Sequence, residues 1–449
     1  MDLPHTDSLI QSAKHVRDQM PEGGMFGGHT WRIAPEPLNL DKKQVKQLDK
    51  LGKVLLSFYK ASNQIYRKSV DGKLPGWIAD WLDRGKPEEL IKLQRTRPFR
   101  FDIPRVIRPD LLITEDGFAL TELDSVPGGV GLTAWFNQTY ASAGHEVLGG
   151  ANGMLDGFKG IFGDARNVHL TVSEESGTYR PEMEWLSKQP GFENFAVRDE
   201  HFTDAKEGDA VYRFFELFDL PNIPSAEALF QSASAGDIQL TPPPRPVLEE
   251  KMWMALLWSP HLQEFWKQEL GSSHLETMQR ITPLSWIIDP APIPHHASIP
   301  HLNLTSWSQL KTLSQKQRDL ILKISGFSET AWGARGVHLG SDMSSDDWGM
   351  AVDAAIRSAD KSPYLLQRFH KPTTVPVQWY DFEEDALQTM TSRIRLCPYY
   401  FVHGDFESAS IQLGGVMATA CPADKKIIHG MTDAIITCCK KADSAPRPA

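Results

Sequence analysis

The stretch that most restricts what this chain can fold into is RPDLLITEDGFALTELDSVPGG, Arg108 to Gly129. Two short apolar runs flank Glu115-Asp116-Gly117, a turn signal between strand-like segments. The spacing predicts an antiparallel hairpin with Asp110 opposite Glu122 or Asp124. Side chains alternate along a strand, so Arg108 and Asp110 share one face, and Glu122 and Asp124 share theirs. An even register sets all four polar heads on one face at the open end. Leu111, Ile113 and Leu123 then fall on the other face, with Leu112 and Leu120 behind the acids, so both faces need cover.

Like charges placed opposite one another weaken a sheet, and crowded carboxylates resist ionising together. Either the acids end their strands in solvent, or a divalent cation lies among them. Mg²⁺ prefers oxygen ligands and is typically held by one or two carboxylates plus substrate phosphates. A rival reading takes LTELDSVPGGVGLTAWF as strand, phosphate-binding glycine loop and helix. GGVG lacks the G-x-G-x-x-G spacing, and no acidic residue ends a strand about 20 positions later.

Composition narrows the classes further. A net charge of −10 argues against a nucleic-acid partner, which usually requires a basic face. The four cysteines, Cys397, Cys421, Cys438 and Cys439, form no CxxC pair and no disulfide framework for 449 residues, so a reducing cytoplasm fits best. The N-terminus carries charges where a signal peptide needs an apolar core, and no run reaches the roughly 18 apolar residues of a membrane span. The expectation is a soluble, cytoplasmic protein of two or three domains.

Residues 1–38 read as irregular; a helical stripe follows at Val45, Leu48, Leu51, Leu55, Phe58 and Ile65. NVHLTVS, NFAVRD and DAVYRFFEL are strand-like and separated by helix-like runs, which suggests a small α/β unit with a partly parallel sheet. LTPPPRPVLEEK is the clearest linker, because its prolines block helix and ladder alike. A helix is expected from Thr305 or Ser306, then the strand DLILKISGF, a helix at SSDDWGMAVDAAIRSA and the strand PYLLQRF. The last segment reads as strand, glycine turn and helix, followed by a polar, disordered tail.

Arg-x-Asp, eleven residues, then Glu-x-(Asn/Asp) resembles the magnesium-binding segment of glutathionylspermidine synthase, whose synthetase domain is a circularly permuted ATP-grasp fold. The resemblance implies that Asp110, Glu122 and Asp124 hold two Mg²⁺ ions on the phosphates of ATP, and that Arg108 stabilises charge on the transferring phosphoryl group. Ordinary ATP-grasp proteins carry these acids after their nucleotide lysines. Here they come before, the permuted order. EEKMWMALLWSP resembles the family's Asn-Lys segment and makes Lys251 a phosphate contact; LKISGFSETAWGARGVHLG resembles its Lys-Pro strand and glycine flap. Lys323 then matches the second lysine, Gly333 to Gly336 the loop over the phosphates, and Gln367 in PYLLQRF the adenine-facing position.

The departures limit what is carried over. Asp124 replaces an Asn, Ile324 a proline, GARG an Arg-Glu-Gly, and DSVPGG is one residue short. The amidase domain of the bifunctional enzymes has no counterpart in this sequence, so glutathione and spermidine are not implied as substrates. Read alone, Lys251 is a solvated residue of a charged run and Lys323 an edge-strand lysine. Arg393 and Arg395 read as anion contacts or a solvated strand face, and His295-His296 has no acidic or cysteine partner nearby for a metal.

The expected architecture is α/β and α+β: an ATP-grasp fold, circularly permuted, with a small Rossmann-like substrate subdomain. Its expected limits are 1–160 for the N-terminal helix and metal hairpin, 161–245 for the substrate subdomain, 246–385 for the nucleotide lobe and 386–449 for the return to the core. The expected activity joins a small-molecule carboxylate to an amine at the expense of ATP. A non-catalytic ATP- or ADP-binding switch of the same fold is the alternative. Neither reading involves nucleic acid or a membrane, and the sequence fixes no oligomeric state.

Overall fold

The computed structural model describes residues 3–331, 335–428 and 433–442. Close contacts group the chain into two compact units. One comprises Met1–Leu56, Asp102–Pro243 and Lys371–Ala449; the other comprises Ser57–Phe101 and Pro244–His370.

The first unit is built on a mostly antiparallel sheet. Its central path runs from Arg32–Ile33 through Ile435–Lys441, Ser410–Pro422, Ala386–His403 and Val106–Thr114 to Gly117–Asp124. The helix Val130–Ser142 is apolar almost all round, burying Val130, Leu132, Trp135, Phe136 and Tyr140 in one core with Tyr399, Phe401 and Met417 of the sheet. Each such large apolar side chain contributes roughly 2–3 kcal/mol by leaving water. The same unit holds a second sheet of four parallel strands, ordered Phe195–Arg198, Val168–Val172, Ala210–Phe214 and Gln239–Thr241. Its middle strands are buried along their whole length, the polar His169, Thr171 and Arg213 included. The expectation of a partly parallel sheet over these residues therefore understated it.

The second unit centres on an antiparallel sheet ordered Val337–Leu339, Leu320–Ile324, Tyr364–Arg368 and Ser285–Ile287. The helix Ser345–Arg357 lies in the same core as this sheet, with Trp348 fully buried. Ser344 caps it: its hydroxyl accepts from the Asp347 N–H at 3.0 Å.

Four sequence expectations are corrected. Residues Leu3–Asp18 form a helix, its inner face made by Leu9, Ala13 and Val16. The supposed linker is buried: Arg213 donates to the carbonyls of Pro242, Pro243 and Phe215, and Arg245 to Asn63 Oδ1 at 2.7 Å. Its prolines break the ladders, yet the chain is packed rather than exposed. The helix expected near Thr305 is a short 3-10 turn, Trp307–Thr312. The last segment contains no helix among its described residues. It is a run of strands, and Ser410–Pro422 continues through Gly414-Gly415 with a β-bulge at Gly414 opposite Tyr399 and Tyr400. The stretch from Gly415 to Cys421 is buried on both faces, so the alternation that marks a half-buried strand is missing. The tail expected to be disordered lies, beyond residue 442, outside the described residues.

Candidate functional site

The hairpin forms as the sequence indicates, with Thr114 paired to Gly117 across a two-residue turn. Counted strictly from that turn, Asp110 would meet Thr121 and the two acids beyond it would point to the wrong face. A β-bulge between Asp110 and Leu111 absorbs Thr121, whose hydroxyl donates to the Asp110 carbonyl at 3.1 Å. Beyond the bulge Asp110 stands opposite Glu122 and Arg108 opposite Asp124, so all four share one face. The bulge also reassigns the apolar neighbours. Leu120 pairs with Leu111 on the far face, and Ala119 takes the place expected of Leu120 beside Leu112.

Charge crowding is relieved by arginines. Arg108 Nε lies 3.1 Å from Asp110 Oδ1 and its Nη2 2.9 Å from Asp124 Oδ2. Arg395, from the neighbouring strand Ala386–His403, donates to Asp110 Oδ2 at 3.1 Å. The Cys397 thiol donates to Asp110 Oδ1 at 3.4 Å, and Asp124 Oδ1 accepts the Val126 N–H at 2.8 Å. Asp110 is 3% exposed; burial opposes its charge, but Arg108 and Arg395 outweigh it and hold the carboxyl below its usual range. Asp124 moves the other way, pushed up by burial and by Glu122 against the pull of Arg108. Burial, with Asp110 adding to it, pushes the Cys397 thiol up to about 12, which makes it a neutral donor rather than a nucleophile.

The donor chemistry on this face, three carboxylates, suits a hard cation. As the side chains stand, no group of three or more His, Cys, Asp or Glu among the described residues is set to hold a metal. Both oxygens of Asp110 and both of Asp124 already have partners.

The glycine loop after the acids is shaped by packing. Gly129 has φ +85°, and a Cβ there would lie 2.5 Å from the Tyr399 hydroxyl; at Gly128 it would lie 2.2 Å from the Tyr179 ring. The N-terminus of the helix that follows is filled from inside. Glu182, fully buried, accepts the N–H of Gly129 at 2.8 Å on one oxygen and that of Leu132 at 2.9 Å on the other. A carboxylate of the chain itself occupies the position the phosphate-loop reading reserves for a ligand.

In the second unit Lys323 and Gln367 come together from adjacent strands, Lys323 Nζ donating to Gln367 Oε1 at 2.8 Å. They are 6% and 1% exposed, so Lys323 is no surface lysine. Gln367 Nε2 in turn donates to Ser285 Oγ at 3.0 Å and reaches Met254 Sδ at 3.3 Å. Lys251 Nζ donates to the Ala331 carbonyl at 2.6 Å. Gly336 accepts the Ile324 N–H through its carbonyl and packs so closely that a Cβ would meet Ile324 Cγ2 at 2.5 Å. Gly333 lies outside the described residues.

Sequence reasoning missed two residues here and one in the first unit. Glu250, read as part of a solvated charged run, is buried against Lys86 and accepts from the Ser325 hydroxyl. Its only signal was adjacency to Lys251. Ser285 gave none. Glu182 gave none either, since its partners lie fifty or more positions away. Arg393 donates to the Lys425 carbonyl at 3.2 Å, and His295 and His296 stand ring to ring at 6.2 Å on an exposed loop.

No protein-family model and no curated protein sequence matches the chain. Among solved structures, one similar chain is a glutathione synthetase-like effector from Globodera pallida in its apo form. Its TM-score is 0.56 at 12% identity, over 97% of this chain and 98% of that one. A gamma-glutamylcysteine synthetase candidate from Methylobacillus flagellatus matches at TM-score 0.37 and 13% identity over 84% of each chain. The first likeness spans both chains almost end to end, so this mixed α/β protein has the fold of a glutathione synthetase-like structure.

Proposed function

We propose that this chain is an ATP-dependent carboxylate–amine ligase of the circularly permuted ATP-grasp type, forming an amide through an acylphosphate and releasing ADP and phosphate. The observation that carries the reading is the one-face set of Arg108, Asp110, Glu122 and Asp124 at the open end of the hairpin. The order along the chain, acids before lysines, supports it, as does the meeting of Lys323 with Gln367. The fold neighbour's description as glutathione synthetase-like points the same way.

In this reading Glu122 and Asp124, with Asp110, hold magnesium, which when bound neutralises charge on the phosphoryl oxygens. Arg108 and Arg395 exchange carboxylate for phosphate oxygens, which a guanidinium fork matches equally well. Lys323 and Lys251 offer point charges to phosphate, and Gln367 faces the base. The substrate carboxylate attacks the γ-phosphorus, ADP leaves, and an amine then displaces phosphate from the acylphosphate. No protein nucleophile is needed, consistent with four buried, unpaired cysteines.

A second reading, a nucleotide-binding switch without catalysis, is favoured by one observation: the acids and Lys251 already have partners of their own. Calorimetric titration of Mg·ATP into the native protein and Lys323→Met separates these. Binding that weakens about tenfold or more in Lys323→Met supports a nucleotide site. Binding without phosphate release in the presence of small-molecule cell extract favours the switch, and no binding by the native protein overturns both.

A further inference from the structure

Glu182 lies on the helix Arg180–Ser187, far in sequence from the hairpin, yet it fixes the loop on which Arg108 rests. Its two oxygens take the N–H groups of Gly129 and Leu132, as above, so neither can rotate without losing a buried hydrogen bond. The two helices touch closely: a Cβ on Gly131 would lie 2.4 Å from the Glu182 carbonyl oxygen. One residue before the capped N–H, the Gly128 carbonyl accepts from Arg108 Nη1 at 3.2 Å and from the Tyr399 hydroxyl at 2.7 Å. Tyr179, three residues before Glu182, covers Gly128 from the same helix approach. Arg180 Nη2, next in sequence, donates to the carbonyls of Val172 at 3.0 Å and Arg198 at 3.2 Å, at the carboxyl ends of two parallel strands.

We infer that Glu182 is a positioning residue for Arg108, acting through the backbone of Gly128 and Gly129, and that it ties Arg108 to the parallel sheet. The inference rests on the ligase reading only for its functional consequence. The chain of contacts is Glu182 carboxylate, Gly129 N–H, Gly128 carbonyl, Arg108 guanidinium. Glutamine at 182 keeps the shape but presents an NH₂ group to one of the two backbone donors, so half of the cap is lost.

The test follows the Arg108 Nε–Hε signal by NMR, assigned through its loss in Arg108→Lys, in folded native protein and folded Glu182→Gln. Hydrogen exchange at that Nε–H is expected to speed up about tenfold in the variant. Mg·ATP affinity is expected to fall about tenfold in Glu182→Gln and not to fall further when the change is added to Arg108→Ala. Should Glu182→Gln not fold, Glu182→Asp, which can reach one N–H at most, is read in the same way. An unchanged Arg108 signal in a folded variant overturns the inference, as do additive effects in the double variant. If the native protein binds no Mg·ATP, the ligase reading falls, and the Arg108 signal alone still decides the role of Glu182.

Discussion

Asp110 carries two guanidiniums and a thiol on one buried carboxylate, an arrangement only half legible in the sequence. Strand alternation is local, so the spacing set Arg108 with Asp110 and Glu122 with Asp124; bringing the two pairs onto one face took the bulge at Thr121. Arg395 reaches Asp110 from 285 positions away, and no periodicity reports a contact of that kind. Removing Asp110 leaves two arginines facing each other in a buried setting. Asp110→Ala is therefore expected to cost about 3 kcal/mol in urea unfolding, against near-zero for an exposed acid such as Glu115. A loss under about 1 kcal/mol would mean the arginines find other partners.

Glu182 makes the opposite electrostatic case. Burial raises its pKa from the ordinary 4.5 to about 7, against the backbone N–H groups that favour its charge. Because the folded value is the higher, its contribution to stability is fully present below pH 4.5 and is lost as pH rises through about 7. Relative to Glu182→Gln, the native protein is expected to lose up to about 3 kcal/mol between pH 4 and pH 8. A stability difference that stays flat across that range would show that Glu182 titrates in the folded protein where it does in the unfolded chain.

At the scale of elements, the strands were more legible where one face meets solvent or a turn is marked, and less where both faces are buried. Glu115-Asp116-Gly117 announced the hairpin, and the run SSDDWGMAVDAAIRSA announced the helix Ser345–Arg357. The bulge at Thr121 had no signal, yet it decides which way Glu122 and Asp124 point. Two elements depend on single contacts that can be cut. A left-handed Gly129 pressed on Tyr399 predicts that Gly129→Ala costs at least about 1 kcal/mol in denaturant unfolding; a neutral result would mean the loop can move aside. Glu250 holds Ser325 and the Gly326 N–H at the start of the loop after Leu320–Ile324. Glu250→Ala strands Lys86 in the interior. The expected loss is about 3 kcal/mol, with faster amide exchange at Ser325 and Gly326. Unchanged exchange there would dissociate Glu250 from the loop.

For the whole molecule, the chain enters the second unit twice, at Ser57–Phe101 and again at Pro244–His370. Such grouping depends on contacts between distant segments, which hydrophobic periodicity cannot report. The order of acids and lysines is a linear property, and it was readable. The likeness to a glutathione synthetase-like structure at 12% identity makes the same point from outside: the fold persists where few residues are shared, so function has to be argued from the site.

The central claim is that the hairpin face handles magnesium and phosphate in a ligase. The most direct measurement is Mg²⁺-dependent phosphate release from ATP, with small-molecule cell extract added, for the native protein and Glu122→Ala. Extract-stimulated release by the native protein is expected, reduced about a hundredfold or more in the variant. Equal release by both proteins would contradict it, because Glu122 would then have no part in the reaction.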